Sequence, residues 1–111
     1  MKSKQSLVAI AAVLGAVAFG ASAATAAAPN AKKLVLDHCQ QCHEVKGIED
    51  YGNIGPSLID LKARYPDRKD VVAIVTDEAK RNPQTVMPPF GRDLILTKQE
   101  IDTIVDFLYK Q

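Results

Sequence analysis

The most regular apolar spacing lies near the C-terminus, where Ile101, Ile104, Val105 and Leu108 recur at helical intervals. This stripe predicts a helix over 98–110. Thr97 with Glu100 forms a capping box at its start, and Leu96 with Ile101 the accompanying hydrophobic staple. Upstream, Val71, Val72, Ile74 and Val75 predict a helix over 69–81 that Asn82-Pro83 ends. Its β-branched residues give it modest intrinsic propensity, so packing must hold it. Leu58, Leu61 and Tyr65 fit a short helix that Pro66 ends. Leu34, Val35 and Leu36 follow Asn30, a good N-cap, and predict a first helix over 31–41 with at least two of the three facing inward. The last stripe is expected to cross this helix near Leu34 and Val35, with Phe107 or Tyr109 adding a ring. Residues 44–55 read as an irregular loop, with Gly47 and Gly52 at its turns. No alternation of strands with helices appears, so the pattern is all-α.

The N-terminus has a different pattern. Lys2 and Lys4 precede an apolar run from Leu7 to Phe19, and small residues follow, including Ala21-Ser22-Ala23 and Ala24-Thr25-Ala26. This is the layout of a secretory signal peptide. It divides the chain into a signal at 1–26 and a single domain at 27–111. An uncleaved anchor is the competing reading, because the uncharged run continues to Ala28 and a span needs about 20 residues. The residues that favour insertion stop at Phe19, however, which favours cleavage. Membrane attachment is expected only if the signal is retained.

Charge narrows the function. The 111 residues carry a formal charge of +1, with no basic field or basic–aromatic interleaving for nucleic acid. A mature chain of about 85 residues is in the size range where domains are marginal, and a large apolar cofactor would help close its core.

The candidate chemistry sits in Cys39-Gln40-Gln41-Cys42-His43, which holds both cysteines of the sequence. C-x-x-C-H is the pattern of covalent c-type haem attachment. Two thiols on one helical turn can each add across a vinyl group of one porphyrin edge, and the turn carries His43 beneath the iron. A thioredoxin-like redox pair would expect a βαβ setting. A zinc site needs a second ligand pair, yet the only other histidine is His38. A disulfide between such close cysteines would close only a tiny loop. Export agrees with haem, since bacterial c-type haem is attached outside the cytoplasmic membrane.

Met87, in Thr85-Val86-Met87-Pro88-Pro89-Phe90-Gly91, is the only thioether once the signal with Met1 is removed. A lone methionine is often core filler. Paired prolines on an irregular loop can instead hold its sulfur rigidly as a sixth ligand. His38 is next to Cys39 and cannot reach the opposite face of a haem held by that cysteine. Asn53-Ile54-Gly55-Pro56-Ser57-Leu58 combines a glycine that permits close backbone approach to the haem with a proline that fixes chain direction. One porphyrin edge is expected near the surface beside Ile54 and Pro88 to Phe90.

Taken together, these segments resemble class I cytochromes c, and most of all the SoxX type, the small cytochrome subunit of the sulfur-oxidising SoxAX complex. The haem motif, Gly52 to Leu58, Asn82 to Gly91 and the Leu96-Thr97…Glu100-Ile101 helix start carry the resemblance. It implies a cytochrome c domain of three to four helices around one covalent haem c with His43 and Met87 as axial ligands. Pro56 would supply the carbonyl that orients His43, and Leu58 would pack on the porphyrin. It implies a periplasmic electron carrier with a SoxA-type cytochrome as partner, a soluble electron acceptor downstream, and no catalysis by this chain alone. A stand-alone periplasmic electron shuttle is the alternative.

Overall fold

The computed structural model describes residues 28–111, together with positions 12, 15–17, 20 and 21. Apart from those positions, the expected signal peptide at 1–26 lies outside the described residues. Among the described residues the regular structure is helical, with no strand: α1 (Ala31–His38), α2 (Leu61–Arg64), α3 (Arg68–Asp77), a 3-10 turn (Glu78–Lys80) and α4 (Lys98–Leu108).

α4 is the central element. Its start is closed by the expected capping box: Glu100 N–H donates to Thr97 Oγ1 at 3.2 Å, and Thr97 N–H donates to Glu100 Oε2 at 2.8 Å. The stripe Ile101, Ile104, Val105 and Leu108 is buried. α4 packs on both α1 and α3, and Ile104, Val105 and Val35 are among the most completely buried side chains. Leu34 and Phe107 pack against this core while partly exposed. Tyr109 also packs against this core, and its hydroxyl donates to Tyr65 O at 2.6 Å, which ties the end of α4 to the end of α2. Arg68 crosses from the start of α3 to Asp102 and Asp106 on α4, at 3.2 and 2.7 Å.

Helix ends depart from the sequence expectation. α1 stops at His38 rather than reaching Gln41: Cys39 N–H makes the last helical bond, to Val35 O, and Gln40 N–H turns to that same oxygen five positions back. The cysteine pair therefore lies on the turn that follows the helix. Leu58 precedes α2, whose first turn is set by Asp60 in the left-handed region at φ 54°. α3 begins on an Asp67 N-cap and breaks at Asp77, where the backbone swings to φ −164° before the 3-10 turn. Gly47 makes its turn at φ 78°, whereas Gly52 is required for close approach: a Cβ there would lie 1.9 Å from Gln41 O.

Candidate haem site

The turn after α1 is built from its own backbone. Cys42 and His43 N–H groups donate to Cys39 O at 3.1 and 2.9 Å, which places both sulfurs and the imidazole on one small element. Residues 52–58 then fold back beneath it. Gly52 N–H reaches Gln40 O, Gly55 N–H reaches Cys42 O and Leu58 N–H reaches Glu44 O, each at 2.8 Å. These bonds deliver the Pro56 carbonyl oxygen to His43 Nδ1 at 2.7 Å. A carbonyl only accepts, so Nδ1 carries a proton; this is the orientation that, in a neutral ring, turns the Nε2 lone pair to a metal. Gly55 backs onto the imidazole itself: a Cβ at this position would fall 2.2 Å from His43 Cε1.

Cys39, Cys42, His43, Pro56, Leu58 and Met87 all border one cleft of about 390 Å³, within the range of cofactor sites. Met87 comes from the loop between the 3-10 turn and α4, where its N–H donates to Thr85 Oγ1 at 3.1 Å. Much of the remaining wall is apolar, with Leu61, Val75, Ile104 and Leu108 contributed by α2, α3 and α4. Arg64, Arg81 and Glu78 form a polar section. Glu78 Oε1 accepts from Arg81 at 2.9 Å, while Oε2 is buried with no hydrogen-bond partner. An apolar slot with thiols and imidazole at one side, a thioether loop and cations at the wall fits the apolar ring and carboxylate arms of a haem.

His38 also borders the cleft, stacking edge-on against Phe90 with centroids 5.8 Å apart. Phe90 is therefore buried, contrary to its expected place on an exposed edge. The exposed apolar rim comprises Ile54 (68% accessible), Val86 (80%) and Pro88 instead. Arg64, Arg81 and Glu78 were not foreseen, because charged residues at helix ends look like ordinary solvated positions in the sequence. The alternative chemistries lack support in the geometry. Burial, and then the neighbouring Cys42, push the Cys39 thiol up to about 11, the reverse of what a reactive redox cysteine needs. Among the described residues no cluster of three or more His, Cys, Asp or Glu side chains could hold a metal ion.

Helices wrapped around a C-x-x-C-H turn, with a carbonyl-oriented histidine and a cleft of this lining, define the c-type cytochrome class. The family model Cytochrome c matches residues 28–111, and the chain belongs to the cytochrome c family. It is accordingly a haem electron-transfer protein with covalently bound haem c. A search of curated proteins found no match. Among the described residues no helix is long and apolar enough to cross a membrane.

Proposed function

We propose that the protein is a periplasmic mono-haem cytochrome that passes electrons during thiosulfate oxidation as the SoxX-type subunit of a SoxAX complex. The observation that carries the electron-transfer part is the convergence of His43 and Met87 on one cleft with Cys39 and Cys42. Bound there, haem iron supplies a one-electron ferric/ferrous couple. Cys39 and Cys42 would tether the porphyrin, and His43 Nε2 and the Met87 sulfur would hold the iron. Two protein ligands favour electron transfer over activation of a bound oxygen or substrate. A soft thioether favours ferrous iron and raises the potential relative to a second imidazole. Pro56 would hold the His43 ring, while Leu58 would exclude water from the porphyrin face.

The SoxX assignment rests on the sequence resemblance, above all Met87-Pro88-Pro89-Phe90-Gly91. The exposed rim of Ile54, Val86 and Pro88 at the cleft supports it as the contact to a SoxA-type cytochrome, because such patches mark interaction sites. The isolated protein should be reduced and reoxidised readily, yet leave thiosulfate unchanged. With a SoxA-type partner it should co-purify and accept electrons in stopped-flow reduction. Ile54→Lys should slow that step without altering the haem spectrum. Absence of a complex at micromolar concentration, with transfer no faster than to an unrelated cytochrome, would favour the stand-alone shuttle.

A further inference from the structure

We propose that Asp77 is a positioning residue: paired with Arg92, it clasps the Met87 loop to the end of α3 and holds the thioether at the haem. The proposal rests on Met87 being the sixth ligand, as put forward above.

Hydrogen bonding shows where the loop is anchored. Between Asn82 and Pro89 the backbone bonds are local, such as Thr85 N–H to Asn82 O at 3.0 Å. The bonds at the loop's two ends run to Thr76 O in the last turn of α3 and to Glu78 O in the 3-10 turn that follows. Asn82 N–H donates to Glu78 O at 2.8 Å, and Gly91 and Arg92 N–H groups donate to Thr76 O at 3.1 and 3.0 Å. Helix-terminal carbonyls lack intrahelical donors, so the Gly91 and Arg92 amides supply what the broken α3 is missing at Thr76.

Asp77 lies between the two anchors. The break in α3 turns its side chain inward until only 5% remains accessible. An inward carboxylate needs a charged or hydrogen-bonded partner. Arg92 provides it, with Nη1 at 3.2 and 3.3 Å from the two carboxylate oxygens. The Arg92 side chain is half-exposed, and its Nε also donates to Asp93 at 3.0 Å. Close packing leaves little slack in this closure. A Cβ on Gly91 would come within 2.8 Å of Thr76 Cγ2 and 3.1 Å of Ile101 Cδ1. Beside the packing of buried Phe90 in the core, the Asp77–Arg92 ion pair ties the Met87 loop to the end of α3.

The test uses the haem-loaded, oxidised protein with Asp77→Asn, Arg92→Ala, Arg92→Lys and, as a control, Met87→Ala. The rate of imidazole binding to ferric haem reports opening of the thioether bond. Heating follows the near-infrared sulfur-to-iron band and the helical circular dichroism separately. Arg92→Ala and Asp77→Asn should each speed imidazole binding by about tenfold, the scale of one charge-assisted hydrogen bond. The near-infrared band should fade in both well before the helices melt, and Arg92→Lys should recover part of the loss. Unchanged imidazole rates, or band and helix melting together, would overturn the clasp. If Asp77→Asn fails to fold, the half-exposed Arg92→Ala decides the matter alone. Met87→Ala separates the two readings: if it leaves the band intact, the ligand assignment falls and the clasp with it. If it abolishes the band while the Arg92 variants behave as wild type, only the clasp fails.

Discussion

His43 Nδ1 and the Pro56 carbonyl oxygen stand 2.7 Å apart, and Gly55 is the residue that makes room for that approach. The hydrogen bond uses Pro56 backbone, so Pro56→Ala should keep the spectrum nearly intact. Gly55→Ala puts a methyl into the space of the imidazole ring, and neither backbone nor ring can yield without moving the ligand. It should cost about 1–3 kcal/mol of stability, as overpacking does, and shift the Soret band. Denaturant titration and the visible spectrum of both variants check this; a normal spectrum for Gly55→Ala would mean that the segment relaxes away from the ring.

Attachment chemistry gives a mass test. Cys39→Ala or Cys42→Ala should each leave haem held by one thioether, whereas the double variant should lose covalent haem under denaturing conditions. Intact mass with one added haem in the parent protein is the expected reading. A free-thiol mass from cells with working attachment machinery would remove the assignment.

The α4 cap predicts a stability change unrelated to haem. Thr97→Ala removes the acceptor for Glu100 N–H and weakens the reciprocal bond, which should lower the unfolding free energy by about 1 kcal/mol. Urea unfolding followed by helix signal measures it. The haem spectrum at low denaturant should not change.

Asp102 predicts an acid response. Hydrogen bonding to Lys98, and then to Arg68, holds its carboxyl below the ordinary aspartate range. The folded state therefore binds this proton less readily than the unfolded chain. The stabilisation is present above the ordinary aspartate pKa and lost as pH falls through the lowered one. Because both partners are partly exposed, Asp102→Asn should cost no more than about 1 kcal/mol at neutral pH. The gap between variant and parent should close as the pH drops below about 4, the unperturbed range. Denaturation curves at a series of pH values test the trend, and a gap that persists into acid would contradict it.

What the sequence made legible was local. The α4 cap and stripe, the Asn30 cap and the C-x-x-C-H turn depend on residues a few positions apart, and their chemistry can be read from spacing. The position of the α3 break could not be read this way. Val71 to Val75 continue a helical pattern smoothly, and the partner of the inward Asp77, Arg92, lies fifteen positions on. Phe90 was misplaced for the same reason. Nothing beside it in the chain announces His38, the ring that covers it. The polar wall was hidden too, since Glu78 and Arg81 border the cleft through the 3-10 turn that follows the α3 break, which the apolar pattern does not announce.

The short span between His43 and Pro56, thirteen positions, also orders the protein's assembly in time. Every group on the tethering side, from Cys39 to Leu58, lies in one compact segment whose loops close at low entropic cost. The facing wall, with Met87 and α4, belongs to the C-terminal part of the chain. Cys39, Cys42 and His43 would therefore suffice to hold haem on an exported chain whose C-terminal part is still unfolded, and the Met87 loop would close over it afterwards.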